Sequence, residues 1–221
     1  MSHKVFAERL ERLEARLLEM SHSVQSIVES AVHFALTSEG SVDEIRDLDS
    51  EIDREEVAIE EACIELLALH QPMASDLRLL VTILKSNSDL ERIGDHAVNI
   101  AEAAGRLQQS TQPPAMPPEI PEMSRIALEM LRDALDALVH RNSQEAQAVR
   151  ARDDRVDALH ESLFRVMLTH MLESNISACL QVILISRNLE RIADLATNIG
   201  EDVVFMVRGI TVRHRIGPQE G

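Results

Sequence analysis

The sequence predicts an all-α protein made of two tandem three-helix bundles that are related by an internal repeat. Trp and Tyr are absent, and seven Gly with seven Pro leave few turn residues for β-hairpins. Apolar residues recur with the period of an α-helix over long stretches of the chain. The segment LERIGDHAVNIAE at 90–102 returns as LERIADLATNIGE at 189–201. A duplicated helical pattern of this length indicates two copies of one folding unit.

The first half of the chain is expected to hold three long helices, at about residues 4–37, 41–70 and 75–108. Ser41 is a candidate N-cap of the second helix, and Glu44 three residues later completes a capping box. Pro72 stops that helix because proline cannot continue it. Ser75 or Asp76 is then expected to cap the third helix.

The second half repeats this plan, with helices expected at about residues 118–140, 142–171 and 175–208. Between the halves, TQPPAMPPEIP at 111–121 holds five of the seven prolines, and it predicts an extended linker. The predicted units are a first bundle at 1–110, the linker at 111–121, a second bundle at 122–210 and a tail at 211–221. Each bundle is expected to have its own core.

The repeat also duplicates a stripe of acidic and amide side chains. On a helical wheel, Glu91, Asp95, Asn99 and Glu102 fall within less than a quarter-turn, at ~100° per residue. The apolar residues of the same helix lie roughly opposite, so these acids are expected on the outer face. Acids at four-residue spacing also occur on the second helix of each half. The full set of candidate ligands is Glu91, Asp95, Asn99, Glu102, Asp49 and Asp53 in the first half, and Glu190, Asp194, Asn198, Glu201, Asp153 and Asp157 in the second.

Two interpretations of the stripes stay open from spacing alone. Like charges four residues apart repel, and a bound cation would remove that cost. Carboxylate and amide oxygens suit Mg²⁺, Mn²⁺, Ca²⁺, Zn²⁺ or iron, and His160 lies on the stripe of the second half. Alternatively, the stripes are solvated faces in which Arg92 pairs with Asp95 and Arg191 with Asp194.

The net charge of −16 limits the classes of partner. It argues against nucleic acid and against an anionic lipid surface, since both are bound mainly by basic residues. It favours basic proteins or metal cations. The two cysteines lack metal-ligand spacing and are expected to be core residues. No signal peptide is visible and no stretch approaches the ~20 apolar residues of a membrane span, so we expect a cytoplasmic protein without membrane insertion.

The sequence gives no sign of an enzyme. It contains no nucleophile elbow and no phosphate-binding P-loop. A di-iron carboxylate enzyme would need Glu-x-x-His on two helices, and Glu19 with His22 is an unrepeated pair. The alternatives are a metal-binding or metal-storage helical protein, a metal-dependent hydrolytic protein, and a metal-free dimeric scaffold.

These residues resemble the PhoU family of phosphate-transport regulators. The resemblance rests on PMASDLR at 72–78 followed by LERIGDHAVNIAE, and on LERIADLATNIGEDVVFMVRG continuing to VRH at 212–214. It covers nearly the whole chain. It implies a fold of two three-helix bundles and metal, often a multinuclear iron or zinc cluster, on the acidic motifs of both halves.

The resemblance also implies a function and partners. Family members act as negative regulators that link a phosphate ABC transporter ATPase to a two-component sensor histidine kinase, and many form homodimers. Two departures from the family pattern are visible. Asp76 and Arg78 have no twin in the second half, and Phe164 stands where the repeat predicts an acid equivalent to Glu60. The two bundles are therefore not expected to be fully equivalent.

Overall fold

The computed structural model describes residues 2–111, 114–172 and 175–211, with side chains from residue 4 onward. Within these ranges the chain forms six α-helices and no strand. The helices are α1 (Ser2–Thr37), α2 (Val42–His70), α3 (Ala74–Gln108), α4 (Glu119–His140), α5 (Ser143–His170) and α6 (Ile176–Arg208). The all-α prediction is confirmed, and most helix ends lie within one or two residues of those expected. Most of the predicted tail, including VRH at 212–214, lies outside the described residues.

The helix ends differ in how they are capped. Ser41 caps α2, as predicted, and its hydroxyl accepts a hydrogen bond from the Asp43 N–H at 3.2 Å. The prediction that Ser75 or Asp76 caps α3 is wrong, because α3 begins one residue earlier and Met73 occupies the N-cap position without a side-chain hydrogen bond. The α4 helix begins at Glu119, so the last prolyl residue of the proline-rich segment, Pro121, lies in its first turn.

The first three helices pack into one bundle and the last three into another, and α3 packs along α6 between them. The buried apolar side chains of both bundles form one continuous cluster, whereas the sequence predicted a separate core for each. Both cysteines are fully buried in this core, as predicted. The long α3–α6 contact is the physical reason, since each of these helices buries one apolar face in its own bundle and another against its counterpart.

Polar contacts fix the antiparallel register of α3 and α6. The Lys85 ammonium forms an ion pair with Asp202, which is only 2% exposed. Arg78 donates to the backbone oxygen of Met206 at 3.2 Å, and His96 Nδ1 lies 2.8 Å from Asn188 Oδ1. A buried carboxylate is tolerated only when a cation or hydrogen-bond donors compensate its desolvation. These contacts therefore hold the two bundles in one relative position.

Across the described ranges, the structure contains no helix with the length and apolarity that crossing a bilayer demands.

Candidate metal centres

A cluster of carboxylates lies along the groove between the antiparallel helices α2 and α3. We name this group cluster one; it consists of Asp49, Asp53, Glu56, Glu91 and Asp95. Burial, followed by the charges of Asp53 and Asp95, raises the pKa of Asp49 to about 6. Burial and the neighbouring carboxylates of both helices also raise the pKa of Glu91. The acids of the two helices therefore face one another across the groove.

The second bundle repeats this arrangement between α5 and α6. We name this group cluster two; it consists of Asp153, Asp157, Glu190 and Asp194. Burial, followed by the charges of Asp194, Asp157 and the adjacent Asp154, raises the pKa of Asp153 to about 7. Burial is also the main cause that raises the pKa of Asp157 and of Glu190. Each bundle thus concentrates negative charge at the same place.

One carboxylate oxygen in each cluster is buried without a hydrogen-bond partner among the described residues. These atoms are Asp49 Oδ1 and Asp153 Oδ1. The Asp49 carboxylate packs so closely on α3 that a Cβ on Gly94 would lie 2.8 Å from Oδ1. An unsatisfied buried carboxylate oxygen carries a desolvation cost, which a bound cation would remove.

Each cluster continues toward the hairpin of its bundle through different polar groups. In the first bundle, the Asn87 amide donates to the backbone oxygen of Glu56 at 2.9 Å. In the second, His160 Nδ1 lies 2.9 Å from Ser186 Oγ, which places this candidate ligand beside cluster two. Arg191 pairs with Asp194 at 3.0 Å, as the solvated-face interpretation predicted. Arg92 instead pairs with Asp89 at 3.5 Å, so the prediction that Arg92 pairs with Asp95 is wrong.

The C-terminal members of each acidic stripe lie outside the clusters. Glu102 accepts from Arg46 at 2.6 Å and pairs with Arg106 at 3.4 Å, and these guanidiniums lower its pKa. Glu201 lies 3.7 Å from Arg150. Both glutamates are seven residues from the last aspartate of their cluster, about 10 Å along the helix. Asn99 is exposed and Asn198 half-buried in the same stripes.

The prediction that the acidic stripe of the third helix lines the outer face is correct for Asp95 and Asn99, which are exposed, whereas Glu91 and Glu102 are half-buried. On the second helices, Asp49 and Asp153 are half-buried in the grooves. The wheel places a residue relative to its own helix, and the neighbouring helix decides whether that face is covered. For Asp49 and Asp153 the neighbours are α3 and α6.

The donor chemistry of both clusters fits a metal ion. Carboxylates supply the oxygen ligands that magnesium, manganese, iron and zinc accept, and the buried oxygens and raised pKa values show charge that a cation would neutralise. Within the described residues, however, no three side chains of His, Cys, Asp or Glu lie close enough together to hold a metal ion. Binding would therefore have to draw the carboxylates of the two helices together.

Sequence reasoning missed the polar residues between the bundles. His96 is half-buried against α6, and burial, its largest influence, lowers its pKa. Lys85 contacts Asp202 and also lies 5.8 Å from the ring centre of Phe205. Arg78, which has no twin in the second half, joins α3 to the end of α6. The absence of a repeat partner was the available signal, because a contact between two non-equivalent faces needs residues that the repeat does not duplicate.

Fold and site together define a class: tandem three-helix-bundle proteins with one acidic inter-helix groove in each bundle. The PhoU domain model matches this chain twice, at residues 17–104 and 120–203, so each match covers one bundle. The chain belongs to the PhoU family.

Several relatives are similar over most of the chain. A protein of Pseudomonas putida is 39% identical over 212 residues, covering 95% of this chain and 83% of the relative. A protein of Deinococcus radiodurans is 40% identical over 171 residues, covering 75% and 78%. Both are described as phosphate-specific transport system accessory protein PhoU homologues.

Solved structures agree with the fold. The crystal structure of PhoU from Pseudomonas aeruginosa superposes with a TM-score of 0.89 at 36% identity, covering 93% of this chain and all of that chain. The crystal structure of the phosphate transport system regulatory protein PhoU from Streptococcus pneumoniae gives a TM-score of 0.86 at 32% identity, covering 94% and 99%. The prediction of the family is confirmed.

Proposed function

We propose that this chain is an accessory protein of phosphate-specific transport that restrains phosphate uptake and the phosphate-starvation response. In this role it acts as a non-enzymatic adaptor between the ATPase of a phosphate ABC transporter and a sensor histidine kinase. Relatives described as accessory proteins cover nearly the whole chain, which supports the role in transport.

The observation that carries the site part of the proposal is the equivalence of the two clusters. Each is built from acids on the second and third helix of its bundle, and each contains one buried carboxylate oxygen without a partner. We propose that both clusters bind metal, with iron or zinc as first candidates and magnesium or manganese as others. The metal would neutralise the grooves and fix the spacing of α2 to α3 and of α5 to α6.

Elemental analysis tests the metal sites. We expect iron or zinc in the purified chain and its loss from a quadruple variant with Glu91, Asp95, Glu190 and Asp194 changed to Ala. The matched control changes Glu102 and Glu201 to Ala, because these acids share the stripes but pair with arginines outside the clusters. Metal retained in the quadruple variant, or absent from the unmodified chain after loading, would contradict the proposal.

A cellular assay tests the regulatory role separately. In a host lacking its own PhoU, we expect this chain to lower a phosphate-starvation reporter when phosphate is plentiful. The quadruple variant should leave the reporter high, and the Glu102 and Glu201 control should lower it. A reporter that responds to neither the chain nor its variants would contradict the regulatory proposal without bearing on metal content.

A further inference from the structure

Exposed apolar side chains lie at the end of α5 and at the start of α6. We name this group the hairpin patch; it consists of Phe164, Leu168, Leu172, Ile176 and Leu180, each at least 42% exposed. On α5 the members are four residues apart, and so are those on α6, so each set forms one row on its helix. Exposed apolar rows of this extent are uncommon on a monomeric surface and mark interaction sites.

The register of the two helices places both rows along one groove. His160 of α5 lies against Ser186 of α6, and the helices are antiparallel. Moving one turn along α5 therefore corresponds to moving one turn back along α6. Phe164 and Leu168 then follow His160 on the side that faces the groove, while Leu180 and Ile176 accompany them on α6. Cluster two occupies the other end of the same groove.

The first bundle has exposed apolar residues at three of the five equivalent positions, Ile64, Met73 and Leu77, but an acid interrupts its row. The repeat equates Phe164 with Glu60, and Leu180 with the half-buried Val81. Leu168 has an exposed counterpart in Ile64, which is therefore a matched control position. Both bundles thus have an acidic cluster with exposed apolar residues nearby, and the two grooves differ at the positions of Phe164 and Leu180.

Charge selects the occupant of this groove. Cluster two and Asp154 supply five carboxylates at its inner end, of which Arg191 pairs with Glu190 and Asp194. An anionic lipid surface would be repelled by this end. A second copy of the chain carries a charge of −16 and the same acids, so it is also disfavoured. A helix with an apolar stripe and basic residues at one end is complementary to both the hairpin patch and cluster two.

We propose that the α5–α6 groove docks an amphipathic helix of a partner protein, with its apolar stripe on the hairpin patch and its basic end at cluster two. This deepens the adaptor role of the proposed function by naming the surface and the chemistry of one partner. Because the basic end and a metal would meet the same carboxylates, docking is expected to be strongest on metal-free protein.

The test measures binding of a helical peptide to the chelator-treated chain by fluorescence anisotropy. The probe is a peptide of about 15 residues with Leu on one face and a block of Lys at one end. We expect Leu168→Ser and Leu180→Ser each to weaken binding about tenfold, and Ile64→Ser to leave it unchanged. All three residues are exposed, and circular dichroism checks that each variant is folded.

A second peptide, with Glu in place of the Lys block, tests on the unmodified chain whether binding depends on the basic end. We expect it to bind at least about tenfold more weakly, with the difference shrinking at high salt. Equal binding of the two peptides would overturn the proposal, and so would an equal loss with Ile64→Ser. Self-association of the chain that Leu168→Ser abolishes, measured by sedimentation, would assign the patch to a dimer and also overturn it. Because the chain is treated with chelator, these outcomes do not depend on whether the purified chain holds metal, nor on phosphate regulation.

Discussion

Cluster one and cluster two occupy equivalent grooves, yet the surroundings of their half-buried aspartates differ. Burial is the main cause that raises the pKa of both residues; two further carboxylates add to it at Asp49, whose pKa is about 6, and four at Asp153, whose pKa is about 7. The helix behind each cluster also differs. Gly94 lets the Asp49 carboxylate approach α3 closely, while Ala193 stands at the equivalent position of α6.

In the second bundle, a glycine allows close contact between α5 and α6 instead. Gly200 of α6 lies against the backbone of α5, where a Cβ would come within 2.8 Å of the Ala146 carbonyl oxygen. Its counterpart in the first bundle is Ala101. The duplicated sequence therefore fixes where the acids lie, and single small residues decide how closely the helices approach around them.

The largest expected effect is a difference in stability between alanine variants of these two glycines. We expect Gly200→Ala to lower the free energy of unfolding by about 2 kcal/mol, because the new methyl meets backbone and α5 must shift. Gly94→Ala should change it by less than about 0.5 kcal/mol, because the Asp49 side chain can rotate away and alanine favours the helix. Urea denaturation measures both variants. A larger loss for Gly94→Ala would show that the Asp49 position is rigidly held.

The second prediction concerns the pH dependence of stability that the raised pKa values of Asp49 and Asp153 cause. A carboxylate whose pKa is higher in the folded state holds its proton longer there, so stability falls as pH rises from about 4 to about 7. We expect Asp153→Asn to stabilise metal-free protein at pH 8 by about 1 kcal/mol, after allowing for solvent screening. Asp49→Asn should stabilise it less, because the Asp49 pKa is about 6 rather than about 7.

Thermal melts in chelator at pH 4 and pH 8 check this prediction. The gain should shrink toward zero at pH 4, where the native aspartates are protonated. Stabilisation of the same size at both pH values would instead indicate that the amide forms a new hydrogen bond. Destabilisation at pH 8 would show that the charged Asp153 is compensated in the metal-free protein.

The smallest expected effect compares the ends of α2 and α5. Gln71 ends α2 with a left-handed backbone at φ 46°, whereas Met171 ends α5 with φ −60°. Glycine adopts the left-handed region without steric cost, so Gln71→Gly should stabilise the protein by about 0.5 kcal/mol. Met171→Gly should destabilise it, since glycine brings only added flexibility and loses an apolar contact there. Chemical denaturation of the pair measures the difference, and equal signs for the two variants would contradict the explanation.

The sequence by itself determined the helices, the repeat and the identity of the paired acids. Periodicity and breakers such as Pro72 and the 111–121 segment are local signals, and helix formation follows them closely. The spacing Glu91–Asp95 and its copy Glu190–Asp194 also predicted which side chains share a face. The metal assignment for these residues stays a prediction.

Only the tertiary structure decided which acids are half-buried, which are paired with arginine, and how the bundles join. Asp49 and Asp95 lie on different helices yet face one another, and Glu102 pairs with Arg46 of α2. Lys85 and Asp202 meet although they are 117 residues apart. Such contacts depend on how helices from distant parts of the chain pack, and a wheel drawn for one helix contains no information on its neighbours.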